Sequence, residues 1–172
     1  MTWTPLGGRA ARPAPAWLDW LAEPGSLTAR LKRLSGDEFR VDVLSETWIR
    51  CADPALLRQF GPLAPGARFW SRQVCLEGRG EPWVLAHTLI PEYALQSPLA
   101  ELRHLAQRPL GEYLFGQAQV RRGSLEITPV AGDGWARRSV FYLHGQPLMV
   151  AESFLPALLR VAAVTGRQAG PG

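Results

Sequence analysis

The sequence predicts an α+β domain built on an antiparallel sheet. Three observations carry this. Strand-like alternation recurs on both sides of short turns, at Glu77-Gly78-Arg79-Gly80-Glu81-Pro82 and at His144-Gly145-Gln146-Pro147. The helical patterns lie before and between the strand runs and do not alternate with them as β-α-β units. No Gly-rich phosphate loop opens a helix. At 172 residues, with 47% hydrophobic and 20% charged residues, the chain can bury one sizeable core without disulfide or metal support.

Residues Met1 to Pro15 are rich in Gly, Pro, Ala and Arg and read as a flexible N-terminal arm (1–15). The domain proper is expected over 16–164, with a disordered tail at 165–172. Ala16 to Ala22 is a short helix, with Trp17, Leu18 and Leu21 sharing a face, and Pro24-Gly25 ends it. Ser26 is the N-cap of a second helix, Leu27 to Leu34, whose Leu27, Leu31 and Leu34 recur at helical spacing. That stripe reads as core packing, although free N–H groups at a helix start can also hold a carboxylate. Glu38 to Val43 alternates as a half-exposed strand and continues, with a break, through Thr47 to Ile49. Asp53 to Phe60 is a short helix with Pro54 in its first position.

Strands over Arg68 to Leu76 and Trp83 to Ile90 form an antiparallel hairpin with a loose turn. Leu99 to Gln107 is a helix, with Leu99, Leu102 and Leu105 apolar. Pro109-Leu110-Gly111 stops it, and Glu112 to Phe115 adds a turn. Gln117 to Val120 and Ser124 to Pro129 are strand segments, and Trp135 to Leu143 is a longer strand. The last strand is Pro147 to Pro156, and Leu158 to Val164 is helical.

The net charge is +4 and the isoelectric point about 9.7, but the basic residues are scattered. There is no basic stripe and no recognisable nucleic-acid module, so nucleic acid is not the expected partner; a small anion suits the charge as well. Cys51 and Cys75 are expected as free thiols. His87, His104 and His144 lack metal-ligand spacing. With no secretory signal and no apolar tract near membrane-spanning length, the expectation is a cytoplasmic protein.

Two charges are out of place. In the last strand, Leu148, Val150, Glu152 and Phe154 share a face, which puts a carboxylate among apolar residues. In the strand from Arg68, Trp70, Arg72, Val74 and Leu76 share a face, which puts a cation there. Burying either charge is costly unless it is paired. Each is a structural ion-pair member or a functional group, and the two could meet across a sheet or a pocket. Arg137 and Arg138 are expected at the surface, as arginines usually are; the alternative is that one of them helps draw in an anionic substrate.

Three ordered stretches resemble chorismate lyase, the family that makes 4-hydroxybenzoate for ubiquinone. They are Ala67-Arg68-Phe69-Trp70-Ser71-Arg72 with Gly80-Glu81-Pro82-Trp83, then Pro109-Leu110-Gly111-Glu112-Tyr113-Leu114-Phe115, then Gly134-Trp135-Ala136-Arg137-Arg138-Ser139 leading through Gly145-Gln146-Pro147-Leu148 to Glu152-Ser153-Phe154-Leu155-Pro156. The resemblance runs over about Trp17 to Pro156. It implies a monomeric α+β domain with about six antiparallel strands, helices on one side, and an internal pocket closed by two flaps. It implies no metal and no organic cofactor. It implies Arg72 and Glu152 as catalytic and substrate-binding residues, and Leu110 and Leu27 as substrate contacts through backbone N–H groups. Leu27 stands where the family's Ser-Met-Thr segment carries methionine. The expected chemistry is elimination of pyruvate from chorismate, with the proton taken either by Glu152 or by the departing enolpyruvyl group. The competing expectation is a non-catalytic, small-anion-binding sensor domain of related fold.

Overall fold

The computed structural model describes residues 2–10, 12–51, 53–96 and 99–168. Its elements are β1 (Thr4–Pro5), α1 (Pro15–Leu21), α2 (Leu27–Ser35), β2 (Phe39–Arg50), α3 (Pro54–Leu57), β3 (Arg68–Gly78), β4 (Glu81–Pro91), α4 (Leu110–Phe115), β5 (Val120–Arg122), β6 (Glu126–Val130), β7 (Gly134–Leu143), β8 (Gln146–Phe154) and α5 (Pro156–Gln168). Short 3₁₀ turns fill Arg58–Phe60, Glu92–Leu95 and Leu99–His104.

All strand pairings are antiparallel, in the order β1-β6-β7-β8-β4-β3-β2, with β5 pairing the far end of β7. The sheet thus has eight strands where about six were expected. The figure of six comes from the family resemblance; the strand segment expected at Gln117 to Val120 is displaced onto β5, and β1, of two residues, is too short to carry a periodic signal. Thr4–Pro5, within the arm expected to be mobile, pairs with β6, and Leu6 donates its N–H to Leu125 O at 2.9 Å. Of the tail expected to be disordered, Thr165 to Gln168 belong to α5, and 169–172 lie outside the described residues.

The turn between β3 and β4, expected to be loose, is tight. Arg79 and Gly80 both have positive φ (53° and 75°), as do His144 and Gly145 (50° and 75°) in the turn between β7 and β8. Two left-handed central residues match the right-handed twist of the strands they join. The break expected in β2 is a bulge at Leu44, between Val43 and Ser45. Leu99, Leu102 and Leu105 recur every third residue, which suits the three-residue turn of the 3₁₀ helix seen at Leu99–His104 better than an α-helix.

Alternation gives the sheet two unlike faces. On one, β3 presents Arg72, Val74 and Leu76, β8 presents Leu148, Val150, Glu152 and Phe154, and β7 presents Arg137, Ser139 and Phe141. Two apolar clusters cover the ends of this face. In one, Trp20, Leu21, Leu27 and Leu31 from α1 and α2 pack on Leu76, Val84 and Phe154. In the other, Leu99, Leu102, Tyr113 and Leu114 pack on Ile90, Leu148 and Val150. Glu152 sits in β8 between Val150 of one cluster and Phe154 of the other. The opposite face holds a smaller cluster, where Phe60 and Leu57 meet Phe69, Leu89, Val140 and Met149. The helices are therefore not all on one side, since α3 covers one end of the second face.

Candidate active site

A cavity opens between the two apolar clusters. Counting its mouth and the solvent there, the space is about 630 Å³. Arg72, Glu152, Leu27 and Leu110, the four residues singled out from the sequence, all line it. Leu27 and Leu110 are the first residues of α2 and α4, positions whose N–H groups have no intrahelical acceptor. Ser26 caps α2 as expected, its Oγ accepting the Ala29 N–H at 3.2 Å. The Pro-Leu-Gly segment is close-packed. A Cβ on Gly111 would stand 2.7 Å from Thr28 Oγ1, so glycine lets α4 approach α2 this closely with Thr28 left in place.

Arg72 and Glu152 are not each other's partners. Arg72, 3% exposed, donates through Nη1 to Glu46 Oε1, and through Nη2 to the carbonyls of Ala106 (2.6 Å) and Arg108 (3.4 Å). Its cation thereby fastens the segment leading into Pro109-Leu110-Gly111. Glu152 accepts from Arg137, with Nε to Oε2 at 2.5 Å. Arg137 Nη1 also donates to the carbonyls of Trp20 (3.3 Å), Leu21 (3.2 Å) and Glu23 (3.1 Å). Those carbonyls lie at the C-terminal end of α1, where backbone acceptors lack intrahelical donors and the helix dipole favours a cation.

The expectation that Arg137 and Arg138 lie at the surface is corrected: they are 2% and 6% exposed. Each satisfies the condition for burying a charge, a carboxylate within hydrogen-bond reach. For Arg138 it is Glu126, its register partner on β6, with Nε to Oε2 at 2.7 Å. Arg138 points to the opposite face, where Trp3 covers its guanidinium with the ring centroid at 4.5 Å. Arg137 was legible by the rule that found Arg72, because it shares a strand face with Phe141 and Leu143. Glu46 was not, because its place opposite Arg72 depends on the bulge at Leu44.

Arg122 is a further cavity residue that sequence reading missed, on a strand of three residues. Its Nε donates to Ser139 Oγ at 2.8 Å and its Nη1 to Glu23 O at 3.3 Å. Burial pushes its pKa down to about 10; Arg137 adds to the shift and Glu152 opposes it. Farther along the same face, Arg103 lies over the rings of Trp48 and Trp70, at 5.4 and 5.2 Å from their centroids, and pins the Leu99–His104 turn to the sheet. At the surface, Lys32 of α2 forms an ion pair with Glu112 of α4. Among the described residues, no group of three or more His, Cys, Asp or Glu could hold a metal ion. Among them, too, no helix is long and apolar enough to cross a membrane.

A sequence model of the family described as chorismate lyase matches residues 1–164. A protein of Pseudomonas entomophila named probable chorismate pyruvate-lyase 2 is 40% identical over 94% of this chain and 92% of its own length. One of Pseudomonas putida named probable chorismate pyruvate-lyase is 39% identical over 97% and 95%. One of Erwinia tasmaniensis named chorismate pyruvate-lyase is 38% identical over 81% and 78%. Among solved structures, the effector domain of PhnF from Mycobacterium smegmatis superposes with a TM-score of 0.53, covering 85% of this chain and 93% of that domain at 17% identity. At that identity the likeness concerns the fold alone.

Proposed function

The chain belongs to the chorismate lyase family, and on that premise we propose that it eliminates pyruvate from chorismate to give 4-hydroxybenzoate, the first committed step of ubiquinone biosynthesis. The observation that carries the reading is the presence of two unlike charges on one cavity: Arg72 and Glu152 both line it, together with the first residues of α2 and α4.

Chorismate carries a ring carboxylate, a ring hydroxyl and an enolpyruvyl ether with its own carboxylate. In the reaction the bond from the ring carbon to the ether oxygen breaks. The hydrogen on the neighbouring, hydroxyl-bearing carbon leaves as a proton, and its electron pair completes the aromatic ring. The departing enolpyruvate takes up a proton to become pyruvate. No electrons are left over, so the balance requires no oxidant or reductant. Aromatisation supplies the driving force, and the protein orients and polarises.

In this reading the backbone N–H groups of Leu27 and Leu110 hold the ring carboxylate. Arg72 stabilises charge developing on the ether oxygen; a guanidinium has five N–H donors, and its bonds to Glu46, Ala106 and Arg108 do not exhaust them. With Oε2 engaged by Arg137, Glu152 offers Oε1 to the ring hydroxyl. The proton goes either to Glu152 or directly to the enolpyruvyl group, and replacing Glu152 separates the two routes. The reading also has the protein acting as a monomer in the cytoplasm. Light scattering in solution should return the chain mass of 19.0 kDa, and twice that mass would contradict the monomer.

The test is turnover. Purified protein incubated with chorismate and a chelator should release 4-hydroxybenzoate and pyruvate in equal amounts. Tight binding of 4-hydroxybenzoate without consumption of chorismate would overturn the reading in favour of a small-anion sensor.

A further inference from the structure

Three arginines line the cavity: Arg72, Arg122 and Arg137. Two have carboxylate partners, Glu46 for Arg72 and Glu152 for Arg137. Among the described residues Arg122 forms no salt bridge. Its hydrogen bonds go to a hydroxyl and a backbone carbonyl, at Ser139 and Glu23, and the Phe141 ring lies 5.1 Å away. Burial and the nearby Arg137 work against its charge, and no carboxylate is bonded to it to offset that cost. The cavity thus holds one more cation than its protein carboxylates balance, a surplus suited to an anion that enters with the ligand.

The sheet register shows where that cation stands. Arg72, Thr88, Val150 and Ser139 are successive neighbours across β3, β4, β8 and β7. Arg72 closes one end of this row. Arg122, bonded to Ser139, closes the other, roughly 14 Å away across three strand spacings. A ligand over Thr88 and Val150 lies between two guanidinium groups.

This inference rests on the proposed reaction, which leaves one charged group of the substrate without a partner. The ring carboxylate, ether oxygen and hydroxyl are assigned to Leu27 and Leu110, to Arg72 and to Glu152; the enolpyruvyl carboxylate is not. We propose that Arg122 binds the enolpyruvyl carboxylate and thereby favours the dianionic substrate over the monoanionic product. When pyruvate departs, that contact is lost and 4-hydroxybenzoate keeps only the others.

The experiment compares wild type, Arg122→Gln and Arg122→Lys in two measurements, kcat/KM for chorismate and Kd for 4-hydroxybenzoate. In Arg122→Gln, kcat/KM should fall about 10- to 100-fold, the range for losing a charge-assisted hydrogen bond, while the product Kd stays within about threefold. Arg122→Lys, which keeps the cation, should recover part of the loss. If chorismate turnover and product affinity fall in the same proportion in both variants, Arg122 is a strut for Glu23 and Ser139, and the proposal is overturned. Normal wild-type turnover beside an unaffected Arg122→Gln removes this proposal alone. No turnover by the wild type removes it together with the lyase reading.

Discussion

The two ion pairs that border the cavity are built differently. At the Glu152 end, cation and carboxylate are both largely enclosed, with side chains 2% and 15% exposed, and Arg137 also holds three backbone carbonyls at the end of α1. At the Arg72 end, Glu46 is 26% exposed, and the other two acceptors are carbonyls of an irregular segment, Ala106 and Arg108. The first pair is a joint between helix and sheet that fixes one carboxylate oxygen. The second is a set of bonds that a ligand can share, because Glu46 is partly solvated and water can replace what a ligand displaces. One end of the cavity is rigid and the other is exchangeable.

Removing Arg137 should have the largest effect on the fold. Arg137→Gln leaves Glu152 enclosed without its cation and weakens the hold on the α1 carbonyls. A loss of about 3–5 kcal/mol in unfolding free energy is expected, measured by urea denaturation. Glu46→Gln, at the exchangeable end, should cost less, about 1–3 kcal/mol, because Gln keeps an acceptor for the buried Arg72 and the carboxylate removed is partly solvated. Equal losses in the two variants would erase the distinction between the ends.

Gly111→Ala tests how tightly the exchangeable end is gauged. Its Cβ would meet Thr28 Oγ1 at 2.7 Å, so either the Thr28 side chain turns or α4 moves away from α2. A cost of about 1–3 kcal/mol is expected, together with a raised KM for chorismate. An unchanged KM would mean that Leu110 is positioned independently of this contact.

The smallest effect is expected on the other face of the sheet, away from both pairs. There His87 Nε2 lies 2.8 Å from Ser71 Oγ, and burial lowers the imidazole pKa below its ordinary 6.5. The folded protein resists protonating His87 and the unfolded chain does not. Between the lowered value and 6.5 the unfolded state therefore binds more protons. The contribution of His87 is fully present above pH 6.5, is lost as the pH falls through that window, and is flat below it. Urea midpoints measured from pH 8 downward should show this slope in the wild type and a weaker one in His87→Asn. Parallel curves would contradict it.

What the sequence made legible follows from what strand alternation records. A charge on an apolar face is visible without knowing any neighbour, so Arg72 and Glu152 stood out. Arg137 carried the same mark on the face it shares with Phe141 and Leu143, yet the general surface preference of arginine outweighed it. Partners were hidden. Glu152 meets Arg137 because β7 and β8 pair, and Arg72 meets Glu46 because the bulge at Leu44 sets the register of β2. Helix starts were legible from local chemistry at Ser26 and Pro54. β1 and the shifted limits of β5 were not, since so few residues give no period. The joining of the two hairpins through β4 and β8, which brings both charges to one cavity, is a long-range choice that no local window contains.

The most direct measurement is chorismate turnover by wild type and Glu152→Gln at equal concentrations of folded protein, with 4-hydroxybenzoate and pyruvate both quantified. The wild type should release the two products one to one. The variant should be at least about tenfold slower from loss of the charged contact to the ring hydroxyl, and 10²- to 10⁴-fold slower if Glu152 also takes the proton. A cooperatively folded Glu152→Gln that turns over chorismate at the wild-type rate would show that this carboxylate does not act at the reacting ring.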